Sequence, residues 1–366
     1  MKKPLSSDPL DSQFTSSAAV RPPDLLCESF LGWYTAAYGW GGDLRKYLNG
    51  FSCLELCAGG GGQAIGIERA GFSHAALLEL DSDACRTLSA NRPEWKVIWG
   101  DIRAFDGSPY LGIDVLSAGL PCPPFSRAGK QLGVKDERNL FPDALRIVGE
   151  SLPRILMIEN VRGILDPPFD EFRAELRTKL KRLGYCSEWR LLNASDYGVS
   201  QLRPRAIMIA LRVGHTKDFD WPRPAFAPPP PVCDVLKTEM SARGWRGFQK
   251  WREKANAIAP TIVGGSHKHG GPDLGPTRAK KAWAALGVDG HGIADEPPPK
   301  DFVGSPRLTT KMVALLQGFP SEWAFCGGKT STYRQIGNAF PPPVAAALGE
   351  SIRKSLSDRK LARVAS

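Results

Sequence analysis

The sequence predicts an α/β protein: a doubly wound sheet with a second, smaller domain inserted towards its C-terminal end. Three observations carry this. Short apolar runs alternate with amphipathic stretches from Phe51 to Leu211, as expected for strands of a parallel sheet covered by helices on both faces. The first run passes into a glycine-rich turn and then a helical stretch. Two proline-rich stretches, 221–232 and 297–306, bracket a basic segment of different character. The chain's 366 residues suffice for one large domain with an insert.

Composition narrows the class. An apolar fraction of 42% is ordinary for a protein with a real core, and a formal net charge of +10 favours a polyanionic partner, though it also serves solubility. No apolar run reaches membrane-spanning length, and the polar opening MKKPLSSDPLDSQ lacks the apolar stretch of a signal peptide. A cytoplasmic protein is expected. Eight cysteines are too few for a disulfide scaffold, and with no CxxC pair no metal site is predicted.

Taken in order, residues 1 to 24 are rich in Ser, Pro and Asp and are expected to be disordered, and Leu25 to Gly50 form an aromatic-rich, helical lead-in. Strands are expected at Phe51–Leu56 and in AALLEL (75–80), VIWG (97–100), IDVLSAG (113–119), ILMIEN (155–160) and AIMIAL (206–211), with helices at Phe141–Leu152 and Glu171–Leu183. From Asp234 to Asp301 the chain is rich in Gly, Lys, Arg and His, including Arg243, Arg246, Lys250, Arg252, Lys254, Lys268, Arg278, Lys280 and Lys281. Val344, Leu348, Ile352 and Leu356 form the apolar stripe of a final helix. The expected division is an N-terminal extension over 1–50, a catalytic domain over 51–220, a smaller domain over 221–304, and a return to the catalytic domain over 305–366.

The glycine turn Ala58 to Gly62 lies between a strand and the helical stretch Gln63 to Ala70. Glycines let the backbone turn sharply and approach a ligand, and a helix N-terminus offers free N–H groups. About twenty residues on, Glu79 can bind the hydroxyls of a ribose, and Asp101 can accept from an adenine amino group. Gly59, Gly61 and Ala64 also satisfy G-x-G-x-x-A, so a nicotinamide dehydrogenase stays open at this point. Cys122 stands between prolines after the fourth apolar run, where doubly wound folds place their sites. The bland alternative is a buried inert thiol. Glu159 ends the fifth run, and Arg203 and Arg205 precede AIMIAL. Taken singly, Glu159 reads as a helix cap and the arginines as a solvated face.

The ordered segments FSCLELCAGGGGQAIGIERAGF, LLELDSDA, GDI, GLPCPPFS, MIENVRGI, LNASDYGVSQLRPR, RLTTKMVALLQGFP and YRQIGNAFPPPVAAALG resemble the motif series of the DNA cytosine-5 methyltransferases, in that family's order. The resemblance covers 51–212 and 305–350, and it implies a Rossmann-like methyltransferase sheet with the basic insert as target recognition domain. It implies S-adenosyl-L-methionine as cofactor, held by Glu55, Cys57, Ala58, Gly59, Gly61, Gly62, Glu79, Leu80, Asp101, Ile102, Pro121, Asn338 and Ala339. By the same resemblance Cys122 would add to C6 of cytosine, Glu159 would hydrogen-bond or protonate N3, Arg205 would hold the ring oxygen, and Arg203 would support the site. Because C6 is stacked inside the duplex, the base must be flipped out. Ser126, Arg127 and Lys130 would lie on the loop closing over double-stranded DNA. Thr261, Gly264, Gly265, Ser266, His267 and Lys268 resemble a recognition segment of some members. The family further implies a monomer in a bacterial or phage setting, near the nucleoid, with a separate restriction endonuclease as a conceivable companion.

Departures from the pattern concentrate at the adenine. Cys57 stands where an aromatic residue often packs on that ring, Leu80 replaces a frequent large aromatic, Glu55 replaces the commoner Asp, and Pro123 a frequent Gln. Three rivals fit less well. A transfer-RNA cytosine methyltransferase typically carries a Cys-Phe-Thr motif that is absent here, a nicotinamide oxidoreductase has no use for the prolyl-cysteine loop, and a catalytically dead relative would not keep Cys122, Glu159 and Arg205.

Overall fold

The computed structural model describes residues 50–121, 139–216, 218–264 and 272–364, with side chains described as far as Ser357. The expected N-terminal extension therefore lies outside the described residues, except for Gly50.

All six apolar runs form strands, and a seventh joins them. The strands are β1 (Phe51–Leu56), β2 (Phe72–Glu79), β3 (Val97–Trp99), β4 (Val115–Gly119), β5 (Ile155–Val161), β6 (Tyr185–Asn193) and β7 (Pro204–Arg212). They make one sheet in the order β3-β2-β1-β4-β5-β7-β6. The parallel arrangement expected from the sequence holds except at β7, which runs antiparallel to both β5 and β6. That reversal matters. Arg205 near the start of β7 is paired with Val161 at the end of β5, so residues entering β7 reach the edge of the sheet where the parallel strands end.

Helices cover both faces. On one face Leu54, Leu56 and Leu116 pack with Ile147 of α3 (Phe141–Ser151) and Leu176 of α4 (Asp170–Arg182). On the other, Cys53, Val115 and Met157 pack with Ile67 of α1 (Gly62–Arg69) and Leu348 of α11 (Pro342–Val364). The predicted stripe Val344, Leu348, Ile352 and Leu356 is buried. α1 and α11 approach closely because a Cβ on Gly66 would come within 2.4 Å of the Ala345 Cβ. The helix α2 (Ser82–Asn91) starts on its cap Asp81, whose carboxylate accepts from the Asp83 and Ala84 amides at 2.9 and 3.2 Å.

After β7, the described residues form four short helices, α5 (Val232–Val235), α6 (Lys237–Ser241), α7 (Phe248–Lys254) and α8 (Thr277–Ala285). Their buried Val232, Trp251 and Trp283 share an apolar cluster with Met312 and Val313 of α9 (Thr310–Leu316) and Ile336 of α10 (Lys329–Asn338). Among the described residues no helix is long and apolar enough to cross a membrane.

Candidate active site

The strand order reverses direction between β1 and β4, and doubly wound sheets bind ligands outside the carboxyl ends of such strands. β1 leaves the sheet through Cys57, which adopts a left-handed φ of 55°, and the turn closes with Gly61 at φ 90°. A Cβ at Gly61 would also lie 2.8 Å from both Leu88 and Trp323. Gly62 serves packing: its Cβ would stand 2.3 Å from the Phe340 carbonyl and 3.0 Å from Ala339. The glycine turn is thus brought together with Ala339 and Phe340 from the far end of the chain, while neighbouring Asn338 lies against Gly264.

Glu79 ends β2 and is fixed from three sides. Its carboxylate accepts from the Gly59 amide at 2.7 Å and from the Leu80 and Asp81 amides at 2.8 Å each. Burial nevertheless raises its pKa above the usual carboxylate range, because desolvation outweighs those bonds. Asp101 caps the short turn beginning at Ile102 and pairs with Arg103 at 3.1 Å, while the Gly100 amide donates to the Glu79 carbonyl at 3.0 Å. Ile102 is buried and Pro121 half-buried. Glu55 lies beneath this layer, completely buried.

The second half of the site forms where β4 and β5 end. Gly119 pairs with Glu159 across these strands, and the Asn160 side-chain amide donates to the Leu120 carbonyl at 3.3 Å. Leu120 is therefore held next to the end of β5, where Glu159 stands. Arg205 Nε lies 2.8 Å from Glu159 Oε1, off the line of an N–H···O bond. Burial raises the Glu159 pKa, and the nearby charges of Arg205 and Arg203 only moderate the rise. Such a carboxyl is disposed to carry a proton. Cys122, Ser126, Arg127 and Lys130 lie outside the described residues.

Arg203 occupies a different environment from Arg205. It is fully buried, and its guanidinium donates to the carbonyls of Ile262 at 2.5 Å, Gly337 at 2.7 Å and Ala339 at 2.9 Å. Gln201, not singled out from the sequence, works alongside it. Its side chain accepts from the Ile262 amide at 2.8 Å and donates to the Gln317 side chain at 2.6 Å. The Leu202 amide donates to Ala259 at 2.8 Å, and the Thr261 hydroxyl donates to the Leu202 carbonyl. Residues 259–262 are in this way tied down beside Gln201, Leu202 and Arg203. Only the coincidence of a buried-type polar residue with a loop motif could have flagged Gln201.

The sequence model of the C-5 cytosine-specific DNA methylases matches residues 51–354. The chain belongs to that family. The methylase is 51% identical over 309 residues to the Type II methyltransferase M.NgoMIV of Neisseria gonorrhoeae, covering 84% of this chain and 98% of that one. It is 52% identical over 316 residues to the Type II methyltransferase M.NaeI of Lentzea aerocolonigenes, covering 85% and 76%. Its fold is similar to that of a mutant DNMT2 of Spodoptera frugiperda, with a TM-score of 0.58, 19% identity, and coverage of 82% and 99%. This methylase is a DNA cytosine-5 methyltransferase with a Rossmann-like sheet.

In the methylase, Thr261 and Gly264 sit at the seam between the basic insert and the catalytic elements. A Cβ on Gly337 would stand 2.4 Å from the Gly264 Cα, and one on Gly264 2.8 Å from the Asn338 amide nitrogen, so backbone passes backbone there. Gly265, Ser266, His267 and Lys268 lie outside the described residues. Part of the insert's positive charge is neutralised internally, through Arg243–Glu296 at 2.5 Å, Arg246–Asp301 at 2.6 Å, Arg252–Asp234 at 3.3 Å and Lys280–Asp273 at 2.7 Å. Lys250, Lys254, Arg278 and Lys281 are exposed.

Proposed function

We propose that the methylase transfers a methyl group from S-adenosylmethionine to C5 of a cytosine flipped out of a specific double-stranded DNA sequence, through a covalent bond between Cys122 and C6. The observation that carries this reading is the pairing of buried Glu159 with half-buried Arg205 at the ends of β5 and β7, beside Leu120, which Cys122 follows by two residues in sequence. The crevice outside β1 and β4 suits the methyl donor: Cys57 and Gly59, both at positive φ, turn the backbone sharply out of β1, and Glu79 is held in place by three amides.

The Cys122 thiolate adds to C6 while Glu159 delivers a proton to N3, so the electron pair displaced into the ring is neutralised as it arrives. Arg205 holds the ring oxygen and keeps Glu159 oriented. C5 gains the electron density needed to form a bond to carbon. S-adenosylmethionine supplies the methyl group, and its sulfur keeps the electron pair of the broken bond. A base, which can be water, then takes the C5 proton. The freed pair restores the C5–C6 double bond, Cys122 leaves as thiolate, and the N3 proton returns to Glu159. Arg203 serves by fixing backbone around this centre. Residues 221–304 read the DNA, with Thr261 held against Leu202. The Type II relatives suggest a place in a restriction-modification system, with a monomer acting apart from any endonuclease.

Duplex DNA carrying 5-fluorocytosine at the target tests the central step. Fluorine cannot leave C5 as a cation, so elimination is blocked and the Cys122–C6 bond persists. With the donor present, a denaturation-resistant protein–DNA species should form with the wild type and be lost with Cys122→Ser, while Cys122→Ser keeps its affinity for the donor. Trapping at undiminished yield by Cys122→Ser would overturn the mechanism.

A further inference from the structure

Two large apolar side chains stand in water at the edge of the crevice, beside the carboxylates assigned to the methyl donor. Trp99 is 71% exposed and Leu80 is 61% exposed. Single exposed apolar residues are common and need no account. These two are adjacent, however, and one is tethered to the other. Trp99 ends β3 and pairs in register with Glu79 at the end of β2, and its indole N–H donates to the Leu80 carbonyl at 2.9 Å. Asp101 follows two residues later and is linked to the same corner through the Gly100–Glu79 bond of 3.0 Å. The indole is therefore held by its polar edge while most of its surface stays open to solvent.

We propose that Trp99 is the stacking surface for the adenine of the methyl donor, taking the role that aromatic residues at the positions of Cys57 and Leu80 would otherwise fill. The inference rests on the placement of the donor ribose at Glu79. A purine bound to Glu79 through its ribose and to Asp101 through its amino group has to lie over the ends of β2 and β3, the corner occupied by Leu80 and Trp99. Stacking on an aromatic ring is strong and tolerant of the ring's exact partner. A tethered indole has already given up much of its rotational freedom, so little ordering remains to oppose binding. Cys57 contributes a small thiol at the turn, and Leu80 adds aliphatic surface, but neither offers a π face.

Calorimetric titration with S-adenosylhomocysteine, and separately with adenosine, tests the assignment without any turnover. Trp99→Ala should weaken both ligands about tenfold, the scale of one base–aromatic stack, while Trp99→Phe should stay within about threefold of wild type. Saturating S-adenosylhomocysteine should quench part of the tryptophan emission of the wild type, and that part should vanish in Trp99→Phe. Because the ring is exposed and lies on an edge strand, Trp99→Ala is expected to fold, which its circular dichroism will show. Glu79→Ala separates the two readings. If Glu79→Ala weakens binding and Trp99→Ala leaves it unchanged, the stacking role is overturned while the ribose site stands. If only Trp99→Ala weakens binding, the stacking role stands and the ribose assignment falls. If neither variant changes affinity, both are overturned.

Discussion

Glu55 sits at the foot of the site with one oxygen 3.4 Å from the Ser117 hydroxyl and the other without a partner. Cys53 and His74 face it, the three donor atoms lying within 4.8 Å of one another. Burial pushes the Glu55 carboxyl up from 4.5 to about 8, with Ser117 opposing and Glu79 adding to the rise. A raised acid binds its proton more tightly in the folded state. Its contribution is therefore complete below the unfolded value and is lost as pH climbs through the folded one. Glu55→Gln holds no proton to lose. Measured at equal pH by thermal melting, the stability of Glu55→Gln relative to wild type should increase steadily between about pH 5 and about pH 8. A difference independent of pH would mean that Glu55 ionises normally. The same scale separates Arg203 from Arg205, which the sequence presents as neighbours of one kind: one binds three carbonyls and the other a carboxylate.

At the scale of elements, the tightest joint is that of α1 with α11. Leu348 is wholly buried there among Ile67, Val344 and Ile352, and Gly66 and Gly349 bring the helices so close that little can collapse into a void. Leu348→Ala should cost about 2–5 kcal/mol in chemical denaturation; a loss below about 1 kcal/mol would show that the joint relaxes. The stripe in α11 was legible in the sequence because helical spacing repeats over four turns. Six strands were legible for a similar reason, each containing a continuous apolar run, although β3 is only half-buried and ends on exposed Trp99. β6 was not. It lies on the sheet edge, where buried, half-buried and exposed residues follow one another, so Tyr185–Asn193 shows no apolar run. The direction of β7 was also hidden, since an apolar run reads alike for either orientation. Thus Glu159 and Arg205 were each visible as candidates, while their meeting depended on an antiparallel pairing that only the fold reveals. Arg203's partners are backbone carbonyls, which leave no trace in residue identity.

For the whole molecule, the net charge of +10 overstates what the insert can offer to phosphates, since Arg243, Arg246, Arg252 and Lys280 are already paired within it. Lys254 and Lys281 are the better candidates. Replacing both with alanine should weaken every DNA sequence alike and lower the slope of log affinity against log salt by about one for each phosphate no longer neutralised. Arg246→Ala should change that slope less. Equal effects from all three positions, read by fluorescence anisotropy across a salt series, would contradict this division of charge. The docking of residues 259–262 carries a consequence for inheritance. Gln201 and Arg203 grip this segment through the Ile262 amide and carbonyl, and Ala259 bonds through its backbone to Ser200 and Leu202. The side chains of Ala259 and Ile262 are wholly buried in the apolar cluster beneath, so this stretch is held by packing as well as by backbone bonds. On the proposed reading of the insert, a lineage that changes residues beyond Gly264 leaves this seat untouched, and can acquire new targets by small steps without reinventing the enzyme.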